Sequence, residues 1–206
     1  MSGTRLTAGT RRAVLLESAA REFAGRGYAG ASLRAIAAAA GTTTPVIYDH
    51  FASKADLYAA VAQEQADALL AHWAAPPPGA PEQVFRSVMA GIFGWVEEHP
   101  HGWRILFADV PADPLVAETA TAIQDRATAA LARLFAGLPA LDHPAGLARA
   151  DAELAYAEAA KSAVNGLAAW WWRHREVPRE RVVELAADLL WRGLRDVTSD
   201  RREEPA

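Results

Sequence analysis

Glycine, proline and capping residues interrupt this chain at helical intervals, and between the interruptions apolar residues recur three and four positions apart. Thr10–Ala24 carries Val14, Leu15, Ala19 and Phe23 on one stripe, with Gly25 and Gly27 as stop signals. Ser32 is a good N-cap for a short helix with Leu33, Ile36, Ala37 and Ala40 on one side, and Gly41 ends it. Thr43 or Thr44 can cap the next segment, and Pro45 falls in its first turn, where a missing N–H costs nothing. Ser53-Lys54-Ala55-Asp56 resembles a capping box with Asp in place of Glu or Gln, and the helix it opens runs to about Trp73. Pro76-Pro77-Pro78-Gly79 is a connector. Further helices are expected over Pro81–Glu98, over a short piece from Gly102 to Asp109, from Asp113-Pro114 to Ala136, over Arg149–Arg175, and from Pro178 to near Val197, with Leu138–Leu147 as loop. No alternating strand pattern and no internal repeat occurs, so the fold class is all-α: a three-helix head over 1–56 and a six-helix body over 57–206.

Composition fits slender helices packed closely. Alanine supplies 49 of the 206 residues, and the larger apolar types supply 57, enough for a substantial core. The absence of cysteine removes disulfides, thiolate metal sites and cysteine nucleophiles together. No apolar run approaches the ~18 residues of a membrane span, and Glu17 cuts Ala13-Val14-Leu15-Leu16 short of a signal-peptide core, so a soluble, cytoplasmic protein is expected. The net charge of −4 conceals a division: Met1–Tyr58 carries a net +3 and the remainder −7. A basic front on an acidic body suggests two jobs in one chain, although splits of this size also arise by chance.

Ser32–Phe51 is the most informative stretch. A short helix, a turn containing Gly41 and a second short helix have helix-turn-helix spacing, in which the second helix projects its first turn outward. That turn offers Thr43, Thr44 and Pro45, small groups able to approach base edges and thymine methyls. Tyr48, His50 and Lys54 are placed to donate to phosphate oxygens, with Ser32 beside them. Arg34, one turn away, is in reach of a base or a phosphate. Arg5, Arg11 and Arg12 could add backbone contacts from the front, although a merely mobile arm is the better reading. On spacing alone an ordinary helical hairpin is almost as good a reading. Gly25-Arg26-Gly27-Tyr28-Ala29-Gly30 matches G-x-G-x-x-G, but a helix rather than a strand precedes it, so it reads as a helix stop and turn.

The run from Ala31 to Leu57, with its Ser cap, Ile36-Ala37, Ala40-Gly41, Tyr48-Asp49-His50-Phe51 and Ser53-Lys54, resembles the DNA-binding region of the TetR family of one-component transcriptional regulators. Ala20, Phe23 and Gly27-Tyr28 extend the resemblance over roughly Thr10–Tyr58; beyond that only helix number and order match. The resemblance implies a nine-helix homodimer that binds a palindromic operator as a repressor and is released by an effector. Three positions depart from the family pattern. Thr42 replaces a small aliphatic residue, Pro45 removes a backbone donor from the recognition turn, and Asp49 sets a carboxylate beside the phosphates, where it would repel DNA or orient Lys54 or an arginine.

The body is read from its surplus of large residues. Trp170, Trp171 and Trp172 follow one another on one helix and point about 100° apart, so they cannot share one core. A ligand cavity or a partner subunit for one of them is as good a reading as a lipophilic helix end lying on its own core. The last two long helices are expected to pair across a two-fold axis through Ala157, Val164, Ala168 and Trp171 on the first and Val182, Leu185, Ala186, Leu189 and Gly193 on the second. By the resemblance, the preceding helices surround an effector cavity. Met89, Trp95, Trp103, Phe107 and Trp170 are its expected apolar lining, with Asn165 as hydrogen-bonding partner for a small apolar or aromatic effector. The acidic body argues mildly against an anionic one. His99, His101, Asp109 and Asp113 could be assembled into a metal cluster, but the His-Pro-His break lacks ligand spacing, and no metal or cofactor is expected. No G-x-S-x-G, H-E-x-x-H or phosphate-cradling loop is present, so no catalytic residue is assigned. The rival readings are a helical enzyme or carrier, and a dimeric DNA-binding protein without an effector.

Overall fold

The computed structural model describes the backbone of residues 8–74, 78–107, 112–136 and 147–199 and the side chains of 9–71, 78–107, 112–136 and 147–192. Among these residues the secondary structure is helical: α1 Ala8–Gly30, α2 Leu33–Ala39, α3 Thr44–Tyr48, α4 Lys54–Ala74, α5 Pro81–Glu98, α6 Pro100–Phe107, α7 Pro114–Ala136, α8 Arg149–Arg173 and α9 Arg179–Ser199. The chain forms two compact units that do not follow sequence order. The first holds the described residues up to Asp67 together with His99–Ile123, and the second holds Ala68–Glu98 and the described residues from Gln124 onward. α6 and the start of α7 belong to the first unit.

Local chemistry sets most helix ends in the first unit. α1 passes through Gly25 and breaks at Gly27, whose φ of 69° and ψ of 169° are not helical. One helical glycine costs only about 1 kcal/mol against alanine, too little at Gly25 to end a helix held by buried Phe23 and Ala24. α2 ends in a Schellman motif: the Thr42 N–H donates to the Ala37 carbonyl at 2.9 Å and the Gly41 N–H to Ala38 at 3.1 Å. Gly41 makes this possible with a φ of 64°. At the start of α4 the Asp56 N–H donates to Ser53 Oγ at 3.0 Å, and the Ser53 hydroxyl donates back to the Asp56 carboxylate at 2.8 Å. The full capping box would send that second bond to the Ser53 backbone N–H. Asp, one methylene shorter than Glu, stops at the hydroxyl.

The core of this unit joins Leu15, Phe23, Ile36, Ile47, Leu57 and Val61 to Ile105, Val116 and Ile123. Each fully buried side chain of this kind stabilises the fold by about 1.5–3 kcal/mol. The Tyr58 ring meets Phe23 edge-on at 4.9 Å and Tyr28 at 5.3 Å, and its hydroxyl donates to the Ile105 carbonyl at 3.3 Å. α6 is thereby fastened to α1 and α4.

In the second unit α5 and α9 run antiparallel. Arg86 pairs with Asp188 at 3.3 Å, Phe85 packs on Trp191, and near the other end of α5 Glu97 pairs with Arg179 at 3.0 Å. Val88, Met89, Ile92, Phe93, Trp95 and Val96 bury the inner face of α5. Trp171 meets Phe93 edge-on at 5.9 Å, and its indole N–H donates to the Val177 carbonyl at 2.8 Å. Lys161 is buried, and its ammonium donates to Thr128 at 2.7 Å, to the Gln124 carbonyl at 3.4 Å and to Glu158 at 2.7 Å. The Lys161 bond, then that of Thr128, holds the Glu158 carboxyl below its ordinary range. No helix among the described residues is long and apolar enough to cross a membrane.

Candidate DNA interface

The helix-turn-helix is α2, the Gly41 turn and α3. Ile36 and Ala37 from α2 and Ile47 from α3 are buried, which pins the faces opposite Arg34 and Tyr48. α3 is anchored by one isoleucine and presents its remaining turn outward. Thr43 stands at the N-cap with no side-chain capping bond, Pro45 lies in the first turn, and Thr44 is half-buried. Thr43, Pro45 and Tyr48 are exposed, Tyr48 by 54%. This is an outward-facing set of short hydroxyls, a pyrrolidine ring and a phenol, able to make hydrogen bonds and apolar contacts to base edges.

Around that turn lie the groups expected at phosphates. Ser32 caps α2 by accepting the Ala35 N–H at 3.4 Å, and its own N–H donates to Glu22 at 3.2 Å. Its hydroxyl proton is left for an outside acceptor. His50 is half-buried with its ring beside Phe51, and Arg34 is exposed. The Lys54 ammonium donates to the Ala29 carbonyl at 3.3 Å and stands 5.0 Å from the centre of the Tyr28 ring. It is placed by the end of α1 and not by Asp49, which is the exposed C-cap of α3.

One residue, Tyr28, enters that the sequence did not mark as part of the site. Tyr28 supports Lys54, and its hydroxyl donates to the Asp113 carboxylate at 3.0 Å. Desolvation first, then the bond and charge of Asp113, push its phenol above the ordinary value. The Arg12 guanidinium, expected to offer a backbone contact, lies 5.3 Å above the Phe51 ring. Arg5 and Asp109 lie outside the described residues. Tyr28 carries no local signal of this role, because its partner Asp113 lies 85 residues away in sequence.

The other expected residues are placed as follows. Met89 and Trp95 are buried in the second unit, where Asn165 and Trp170 are half-buried; Trp103 is buried and Phe107 half-buried in the first, their rings 6.3 Å apart. The three consecutive tryptophans do point apart. Trp171 is buried, Trp170 stacks on His174 at 4.5 Å, and Arg175 lies 4.2 Å over Trp172. Of the residues expected at a subunit interface, Ala157, Val164, Ala168, Trp171, Val182 and Ala186 are already buried within the chain, while Leu185 and Leu189 are exposed. The side of α9 at Gly193 lies outside the described residues.

The sequence profile described as "Bacterial regulatory proteins, tetR family" matches residues 15–61, the stretch holding the helix-turn-helix and the start of α4. Over this stretch the chain is similar to the DNA-binding region of TetR-family regulators. The TetR likeness extends beyond the head. The HTH-type transcriptional activator FasR of Mycolicibacterium smegmatis is 29% identical over 202 residues, covering 97% of this chain and 90% of that protein. A TetR-like transcriptional regulator from Rhodococcus sp. RHA1 superposes with a TM-score of 0.73 at 26% identity, covering 93% of this chain and 99% of the other. FadR from Bacillus subtilis, solved in complex with stearoyl-CoA, shares the fold at a TM-score of 0.72 and 14% identity, over 91% and 97% of the two chains. The chain thus has a TetR-like head and a helical body with the fold of TetR-type regulators.

Proposed function

We propose that the protein is a ligand-responsive repressor that binds a palindromic operator as a homodimer. The observation that carries DNA reading is the α3 turn. Ile47 fixes it from inside, while Thr43, Pro45 and Tyr48 face solvent, Thr44 beside them, with Ser32, Arg34, His50 and Lys54 around the rim. Thr43, Thr44 and Pro45 read bases, Ser32, Tyr48, His50 and Lys54 hold phosphates, and Arg34 reaches a base or a phosphate. Binding that depends on such contacts falls steeply as salt rises. Retention of fragments of the source genome on the purified protein, followed by sequencing, tests the reading and yields the operator. Fragments sharing no half-site pattern would overturn it.

The homodimer is supported by an apolar face that the chain leaves open. Leu185 and Leu189 lie one turn apart on α9 and are 50% and 58% exposed. On α8, Ala155, Ala159, Ser162 and Gly166 are exposed at helical spacing, small enough for a second copy's helices to approach. Dimerisation is also what a single recognition helix requires, since one covers only a few base pairs.

The effector is a small apolar or aromatic molecule, with Met89, Trp95, Asn165 and Trp170 of the second unit as its contacts. It acts by favouring a spacing of the recognition helices that no longer matches successive major grooves, about 34–36 Å apart. A ligand that bound both spacings equally would change nothing. Titration with aromatic and lipophilic compounds, read by tryptophan fluorescence and then by DNA release, tests this. A fatty acyl-CoA belongs in the panel because FadR, of the same fold, was solved with stearoyl-CoA. Quenching without DNA release would make the site incidental. The name of the FasR relative favours a second reading, an activator. Deleting the gene separates the two: adjacent transcription rises for a repressor and falls for an activator.

A further inference from the structure

Asp113 uses its two carboxylate oxygens for different purposes. Oδ1 caps α7, accepting the N–H groups of Leu115 at 3.1 Å and Val116 at 3.4 Å. Oδ2 accepts the Tyr28 hydroxyl proton at 3.0 Å across 85 residues of sequence. The break at Gly27 carries Tyr28 out of the α1 run, where its ring sits against Phe23 and Tyr58 on one side of the unit. The Lys54 ammonium faces that same ring at 5.0 Å, within cation–π range, and holds the Ala29 carbonyl beside it.

We propose that Tyr28 and Asp113 are positioning residues for the phosphate contact made by Lys54. The proposal deepens the DNA-binding reading and rests on it. Lysine has a flexible four-carbon stem, and fixing it only when DNA arrives costs conformational entropy. The Tyr28 ring and the Ala29 carbonyl set the stem beforehand. One ammonium proton is spent on Ala29, which leaves two for a phosphate oxygen. Asp113 adds two effects. It fixes the ring by its hydroxyl, and by accepting that proton it enriches the ring in electron density, which strengthens its hold on a cation. The carboxylate that caps α7 also secures the ring under the phosphate clamp, so loosening the first turn of α7 loosens Lys54.

The test is a mutant cycle read by DNA affinity. Phosphate contacts carry no sequence information, so a fluorescein-labelled duplex of random sequence serves as probe. Tyr28→Phe keeps the ring and removes the bond to Asp113. Asp113→Asn keeps a good α7 cap and weakens the same bond. Each is expected to weaken binding roughly two- to fivefold relative to its effect in a Lys54→Ala background, where both lose that effect. The salt slope stays at the parent value in Tyr28→Phe but drops by about one in Lys54→Ala. A merely structural role for Tyr28 would lower the melting temperature and weaken binding equally in both backgrounds. That additive result, or no change in either background, overturns the proposal while leaving DNA binding intact. Failure of the parent protein to bind duplex at low salt overturns the DNA-binding reading itself.

Discussion

At the residue scale, the candidate interface separates into groups that hold and groups that read. Lys54→Ala is expected to weaken binding to all sequences alike and to lower the salt slope by about one unit. Thr44→Ala is expected to change the preferred base, at about 1–3 kcal/mol for a lost contact. Selection from a randomised operator library at two salt concentrations distinguishes these outcomes, and parent-like behaviour in both variants would remove α3 from the site. Tyr58 makes a different prediction. Burial pushes its phenol above the ordinary value of 10.0. A phenol that ionises less readily in the folded state stabilises the fold fully below its unfolded value, and that contribution disappears as pH rises through the higher folded value. The melting temperature should therefore fall above about pH 10, and fall less steeply in Tyr58→Phe. Near neutral pH the same variant should cost about 1 kcal/mol, because the Ile105 carbonyl loses its donor. Equal alkaline slopes in the two proteins would show that other groups set the transition.

Elements owe their ends to single residues, and Gly41 is the most exposed to test. A Cβ at Gly41 would meet nothing within 4 Å, so only the φ of 64° opposes a side chain there. Gly41→Ala should cost about 1 kcal/mol of strain and lower the melting temperature by about 2–4 °C in a protein of this size. Gly41→Asn should cost less, since asparagine tolerates the left-handed region. Circular dichroism melting checks both, and an Ala variant as stable as the parent would mean that the turn can relax. DNA affinity should fall in parallel, because the Schellman turn sets the angle at which α3 leaves α2. The same scale explains two differences from expectation. Gly25 does not end α1, because buried neighbours outweigh one glycine. Asp56 closes only half a capping box, because its side chain is too short.

For the whole molecule, the decisive question is which apolar face remains for a partner. Val182 and Ala186 on α9 are buried in the chain, whereas Leu185 and Leu189 are not. Leu189→Glu places a charge where the single chain already meets solvent, so folding should be unaffected. In a dimer the same charge would be buried unpaired, a cost of several kcal/mol that should split the pair. Sedimentation should then show a folded monomer that has lost specific DNA binding. A Leu189→Glu protein that still sediments as a dimer removes this face of α9 from the interface. Val182→Glu is the contrasting variant, expected to unfold the second unit because Val182 is buried at 1% exposure.

The sequence by itself determined most helix ends, though not that of α1. Caps, proline and left-handed glycine act over three or four residues, so Ser32, Gly41, Pro45 and Asp113 could be read without any partner in view. The helix-turn-helix was legible for the same reason: its two helices and turn are contiguous, and Ile36, Ala37 and Ile47 mark its buried side. Tertiary structure decided the rest. Helical spacing on α8 and α9 reveals an apolar stripe but not whether it meets its own core or a second copy, and Trp171 and Val182 are buried in the single chain. Membership of α6 in the first unit depends on Tyr58 reaching Ile105 across 47 residues. The support of Lys54 depends on Tyr28 and, through it, on Asp113, 85 residues further along. Contacts that distant leave no period or cap in the sequence, because they are fixed by packing free energy and not by local backbone preference.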